Sequence, residues 1–232
     1  MKRLASAMLA DIRYQWRYGF YFIYVFLVVG FVVLIRVLPE GWRQTALAAV
    51  LLSDPALLGF FFIGGILQLE RGEGLLDALF FSPLRPWEYL LSKALSLGLI
   101  STLAGCLIAL GSGVPQVRYG LLAPALLLGS GCFTLFGVAV SVNLKTMNAF
   151  LSIDGLWEAI LLIPPMLLLF GVVFAPLEVF PGSVILRLVQ ASIGSGQPVL
   201  LFAALFGWAG LAWWLAACRL NDALSRLGGG AT

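Results

Sequence analysis

Apolar residues run along this chain in long stretches, separated by short clusters of charge, proline and glycine. A hydrocarbon core of about 30 Å takes roughly 20 mostly apolar residues in a helix. Six stretches reach that length, at approximately 19–38, 46–69, 88–113, 120–143, 155–175 and 198–218. The connections between them are short, so residues 1–232 read as a single transmembrane domain. Residues 1–18 follow another pattern. Leu4, Met8, Leu9, Ile12 and Trp16 fall on one face of a helix, while Lys2, Arg3, Asp11, Arg13 and Arg17 fall largely elsewhere. This predicts an amphipathic helix lying in the membrane interface, with a frayed basic arm as the alternative. The first span is too long and too aromatic for a cleaved signal peptide, and no small-x-small site follows it. The segment 176–197 carries Pro176, Pro181, Gly182, Gly194 and Gly196 among apolar residues, with Pro198 just after it. It is too broken for a span and too apolar for a solvated loop. A re-entrant or surface-lying outer element is expected, with short helical pieces at Val179-Phe180 and around 184–189.

Composition agrees with that pattern. The chain is 61% hydrophobic and 11% charged, with a mean hydropathy of +1.02, whereas soluble domains carry about 25% charge. Soluble and disordered classes are thereby excluded. Nucleic acid is not expected as a partner, because 14 Lys and Arg against 11 Asp and Glu leave only +3. Zero histidines remove imidazole acid–base chemistry and most zinc or haem sites. Cys106, Cys132 and Cys218 are isolated within apolar runs and encode neither a disulfide framework nor a metal knuckle.

The basic residues set the orientation. One side collects Lys2, Arg3, Arg13, Arg17, Arg71, Arg85, Lys93, Lys145, Arg219 and Arg226; the other has Arg36, Arg43, Arg118 and Arg187. Ten against four places both termini in the cytoplasm. Seven charged residues gather between Glu70 and Lys93, in the connection between the second and third spans. Leu75, Leu76, Leu79 and Phe80 form one apolar stripe on a short helix there, which Pro83 and Pro86 end. A stiff helix held at the cytoplasmic surface passes a push into the spans where a floppy loop absorbs it. A solvated loop whose apolar residues merely cover the spans is the alternative.

The run E-R-G-E-G-L-L-D-A-L-F-F-S-P-L-R-P-W-E-Y-L-L-S-K resembles the signature of type-two ABC exporter permeases through Glu70, Arg71, Gly74, Leu75, Leu79, Ser82, Pro83, Leu84, Glu88 and Lys93. Arg17-Tyr18-Gly19-Phe20-Tyr21, together with Ser53-Asp54-Pro55 and the run from Gly59 to Gly65, resembles the subgroup of fluoroquinolone-export permeases. The resemblance implies an all-α integral membrane protein. It would have six transmembrane helices, an N-terminal amphipathic interfacial helix (1–18), a cytoplasmic coupling segment (70–87) and a broken re-entrant outer segment (176–197) before the last helix. It implies a permease subunit that moves an amphipathic small molecule, such as a drug, out of the cytoplasm or inner leaflet of a bacterial inner membrane. ATPase coupling would fall to Glu70, Arg71, Gly74, Leu75, Leu76, Leu79, Pro83 and Lys93. The implied partners are an ATP-binding subunit, a second permease copy or paralogue forming a dimer, and membrane lipid. The sequence has no G-x-x-x-x-G-K-[ST], so ATP and Mg are expected only through the partner, and the chain is not expected to be an enzyme.

Several residues inside the spans carry two readings. Asp54 either lines the substrate path or, before Pro55, starts a helix. Phe60, Phe61 and Phe62 either stack on planar drugs or pack against lipid and core. Glu158, one turn after Asp154, either lies on the path or complements the dipole at the start of the fifth span, which Pro164-Pro165 should break or bend. Ser101, Gly105, Ala109 and Gly113 form a small-residue stripe for close helix packing. A membrane-embedded enzyme finds no nucleophile–base pair or clustered carboxylates here. A non-transporting scaffold or assembly protein is the alternative to transport.

Overall fold

The computed structural model describes residues 2–75, 84–144, 146–172, 174–194 and 198–228. All regular structure among them is helical: α1 (Lys2–Arg17), α2 (Phe20–Val37), α3 (Glu40–Ala56), a π-helical turn (Leu57–Phe62), α4 (Ile63–Gly72), α5 (Pro86–Ser112), α6 (Tyr119–Ser141), α7 (Met147–Leu169), a 3-10 turn (Ala175–Val179), α8 (Pro181–Ile193) and α9 (Val199–Gly228). Five helices, α2, α5, α6, α7 and α9, are long and apolar enough to cross a membrane. The remaining stretch expected to span, 46–69, falls on α3, the π turn and α4, which follow one another without a gap.

Local chemistry sets several boundaries. Glu88 Oε2 accepts the Arg85 N–H at 2.9 Å, and Pro86 stands in the first turn, so α5 begins with one backbone donor held by a side chain and a residue whose missing N–H costs nothing there. Gly113 ends α5 with φ +75, a left-handed cap that disfavours a side chain. The small-residue stripe therefore stops at Ala109. Within the stripe, a Cβ on Gly105 would lie 2.4 Å from Leu126 Cδ1 and 3.3 Å from Leu51 Cδ2, so this face packs tightly against α6 and α3. Two arginines cap helix ends through their guanidinium groups: Arg71 donates to the carbonyls of Val142 and Leu144 after α6, and Arg118 to those of Ala191 in the last turn of α8 and Gly194 just after it.

Three expectations change. Asp54 and Pro55 lie inside α3, so they do not start a helix. Pro55 has no N–H to give the carbonyl four residues back, and the wider π winding follows two residues later. The fifth span begins at Met147, capped by Thr146, rather than near 155. Asp154 and Glu158 thus stand beyond the first turn, where the helix dipole has faded, and Pro164-Pro165 are carried within α7. The segment 176–197 holds two helical pieces, and α8 is buried along nearly its whole length. This helix is not a surface-lying element, whereas Pro176, Glu178 and Val179 of the 3-10 turn are exposed. Gly182 packs so closely on α7 that a Cβ there would be 2.7 Å from the Leu161 carbonyl oxygen. Pro165 supplies no N–H to that carbonyl. The core centres on α6, which packs against α5, α8, α9 and the π turn.

Candidate functional site

Lys93 is the most deeply buried cation in the described structure, with only 2% of its side chain exposed. The Nζ donates to Asp11 Oδ1 of α1 at 2.5 Å and to Glu70 Oε1 of α4. Tyr89, one turn earlier on α5, donates its hydroxyl to Glu70 Oε2 at 2.6 Å and lays its ring 5.2 Å from the Lys93 nitrogen. One turn further along α1, Gln15 donates to Ser96 Oγ of α5 at 3.2 Å. Asp11 and Gln15 are four residues apart and share a helix face, as do Lys93 and Ser96, so the two stripes close like a zipper. One cation held between two carboxylates joins α1, α4 and α5 at a single buried point. In such surroundings each charge depends on its partners, because none can be rehydrated in place.

This geometry pairs two residues expected to couple ATPase action, Glu70 and Lys93, and adds Asp11, which the sequence pattern placed with the polar residues. In the fold α1 has three faces. Leu4, Met8, Asp11 and Gln15 turn toward the protein, Leu9 and Trp16 are exposed and apolar, and Arg3, Arg13 and Arg17 form an exposed basic face. The exposed apolar and basic faces lie side by side, as a helix at a membrane surface requires.

The expected coupling residues divide. Gly74 (φ +70) turns the chain out of α4, and Leu75 is exposed beyond it. Arg71 faces the turn after α6, together with Gln68, which donates to the Leu144 carbonyl at 2.9 Å. Leu76, Leu79 and Pro83 lie outside the described residues, as does the central part of the segment 70–87. Glu73 accepts a hydrogen bond from the Tyr18 hydroxyl, and the Tyr14 and Tyr18 rings stand 4.7 Å apart.

This tyrosine pair is expected to make the docking of α1 pH-dependent. The bond to Glu73 raises the Tyr18 hydroxyl above its ordinary value of 10.0, and burial, aided by the charge of Glu73, raises that of Tyr14 well above it. Both phenols keep their protons in the folded chain at a pH where the unfolded chain has lost them. Their stabilisation is complete below the ordinary value and is lost as pH rises through the raised ones. Thermal unfolding followed from neutral to strongly alkaline pH should show this decline, and the double variant Tyr14→Phe/Tyr18→Phe should flatten it. An identical alkaline decline in the double variant would remove the pair from the account.

The residues expected along a substrate path lie on three elements, α3, the π turn and α7. Asp54 lies on α3 and Glu158 on α7, half-buried. Asp154 is fully buried and accepts a hydrogen bond from Ser141 Oγ at 3.1 Å. Of the three phenylalanines of the π turn, Phe61 and Phe62 meet edge to face at 6.2 Å. Phe60 is fully buried, Phe61 packs on Phe150 at 5.6 Å, and Phe62 packs on Phe20 and Tyr24 at 5.3 and 5.7 Å. Phe60 belongs to the core, and Phe62 packs at its edge.

The comparisons with known proteins agree with this membrane architecture. The Fluoroquinolones export permease protein MT2761 of Mycobacterium tuberculosis (strain CDC 1551 / Oshkosh) is 29% identical to this chain over 216 residues, covering 92% of this chain and 85% of the relative. The Fluoroquinolones export permease protein Rv2687c of Mycobacterium tuberculosis (strain ATCC 25618 / H37Rv) matches with the same identity and coverage. The model of the Fluoroquinolones export permease protein family matches residues 2–221. With five apolar helices of membrane-crossing length and a match over nearly its whole length, this chain is a multi-pass membrane protein that belongs to the Fluoroquinolones export permease protein family.

Proposed function

We propose that the chain is the membrane subunit of an ATP-driven exporter and moves amphipathic small molecules, drugs among them, out of the cytoplasm or inner leaflet of a bacterial inner membrane. In this reading α3, the π turn and α4 together make the second of six spans, and both termini are cytoplasmic. A separate ATP-binding subunit holds ATP and Mg, and a second permease copy or paralogue completes the pore.

The observation that carries this reading is the buried Asp11–Lys93–Glu70 lock at the base of the connection between α4 and α5. A push on that connection cannot move α4 alone. Through Lys93 it must also displace α5, a 27-residue membrane helix, and α1 at the surface. The connection becomes a lever with three attached arms, which converts closure of an ATP-binding partner into tilting of the spans.

The test uses Leu75, which is exposed at the start of the connection. Leu75→Cys is expected to cross-link to a co-expressed ATP-binding subunit, with a yield that changes when ATP is added. The wild-type chain is expected to co-purify with that subunit. A chain that neither co-purifies nor cross-links with the ATP-binding subunit encoded beside it would overturn the coupling role.

A further inference from the structure

We infer that the outward side of α1 is a docking surface for anionic lipid headgroups, and that the charge of the bilayer surface helps to hold α1 on the Asp11–Lys93–Glu70 lock. This rests on the reading of α1 as lying on the cytoplasmic leaflet, and adds which lipid it takes and what that lipid does to the lock.

The charge of α1 is divided between its two sides. Asp11 is the one acid in Lys2–Arg17, and its carboxylate is turned inward to Lys93. Arg13 and Arg17 are exposed, and neither makes an ion pair among the described residues. Arg3 is exposed along the same side. At about 100° per residue the three arginines fall within a sector of roughly 80°. The lock takes up the helix's own acid, so the strip turned outward carries one sign of charge.

The sector beside the strip identifies the partner as a bilayer. Leu9 and Trp16 project there, 54% and 73% exposed. The Trp16 ring stands 5.5 Å from that of Tyr21 in the first turn of α2, a helix of membrane-crossing length. Only Tyr18 and the left-handed Gly19 (φ +75) separate the two helices. The apolar side of α1 is therefore set where α2 enters hydrocarbon, the depth that tryptophan and tyrosine favour. Arginines next to it reach the headgroup layer, where their planar forks match phosphate oxygens. Each basic residue near an anionic surface adds roughly a fivefold preference for it.

The same stretch of helix carries both attachments. Asp11 and Gln15 grip α5 from the inner side, while Arg13 and Arg17 project from the outer side. A rigid helix cannot lift from Lys93 without also drawing those arginines away from the headgroups.

The test uses the full chain in nanodiscs, either of phosphatidylcholine alone or of phosphatidylcholine and phosphatidylglycerol in equal parts. Ala5→Cys, at an exposed position of α1, reports lifting of the helix by its rate of labelling with a neutral polyethylene-glycol maleimide. A Cys218→Ser background removes the exposed native thiol, and Cys106 and Cys132 sit within the membrane helices α5 and α6. Labelling is expected to be at least about tenfold slower in the anionic discs. Arg13→Gln/Arg17→Gln should remove most of that difference, as should about 1 M salt, where the Debye length falls to about 3 Å. Asp11→Asn should speed labelling in both lipids, and Gln15→Ala serves if that variant fails to fold.

Equal labelling in the two lipids, or a lipid difference that the arginine variants leave intact, would overturn the docking surface. Protection that arises only on adding the ATP-binding subunit, whatever the lipid, would assign this side of α1 to that subunit and overturn it as well. Wild-type labelling rates in both inner-side variants would sever the lipid surface from the lock. Labelling needs no export, so the two readings fail separately. Lipid-dependent labelling in a chain that binds no ATP-binding subunit would keep the lipid surface and remove the exporter. Lipid-independent labelling in a chain that exports would do the reverse.

Discussion

Replacing Lys93 with methionine is expected to destabilise the folded chain by about 3–5 kcal/mol. The methionine matches much of the lysine's volume, so the loss would come from charge rather than from a cavity. Asp11 and Glu70 would face each other without the cation that both contact, at a point where their side chains are only 11% and 8% exposed. Tyr89 would still satisfy one oxygen of Glu70, but nothing described in the structure would replace the charge. The triple variant Asp11→Asn/Glu70→Gln/Lys93→Met should recover most of the lost stability, because a buried charge network can be exchanged for neutral groups of similar size at little net cost. Arg13→Gln, on the exposed basic face of α1, should change stability by no more than about 0.5 kcal/mol. Thermal unfolding in detergent, with protease release of α1 as a second readout, measures all three. Export should remain impaired in the triple variant, which keeps the fold without the lock. A single Lys93→Met variant with wild-type stability would show that the network holds nothing together.

The second large effect is expected at Gly59. A Cβ there would lie 2.6 Å from the Ser130 carbonyl oxygen and 2.8 Å from the Thr134 nitrogen, both backbone atoms of α6 that cannot swing aside. Gly59→Val should therefore force the π turn off α6, with a loss of about 1–3 kcal/mol or more. The Phe60 side chain beside it would move as well. Gly65 provides the contrast, since a Cβ there meets nothing within 4 Å and the residue lies in α4. Gly65→Ala should stabilise the chain by about 0.5–1 kcal/mol by restricting the unfolded backbone. Unfolding temperatures of the two variants, measured side by side, should shift in opposite directions. A Gly59→Val protein as stable as wild type would mean that α6 and the π turn are free to separate.

The spans were legible because a helix through lipid needs an uninterrupted apolar run, a signal that survives without knowledge of any contact. The region from Glu40 to Gly72 was harder. Its run is as apolar as the others, but nothing local distinguishes a π turn from an α turn. α7 starts eight residues before 155 because the polar Asn148, Ser152 and Asp154 interrupt the apolar run that marks a span, although the fold buries Asp154 completely. Within the site, Glu70 and Lys93 stood out through a family resemblance, but their pairing did not. Asp11 was sorted with the polar residues by type, although its position between Met8 and Ile12 borders the apolar face of α1. The four-residue spacing of Asp11 and Gln15 was the available signal. It gains meaning only once Lys93 and Ser96 on a distant helix are known to lie opposite.

The π turn has a geometric consequence for the site below it. An α-helix advances about 100° per residue, and a π turn takes up about one residue more than an α turn. Everything after Phe62 is therefore set in a different rotational phase from α3, by about the angle of one residue. Were the helix wound as α throughout, the face of α4 bearing Glu70 would be turned roughly a quarter-circle away from Lys93. The single extra residue at the π turn thus acts as an indexing step, aligning an acidic side chain with its buried cation two turns further along.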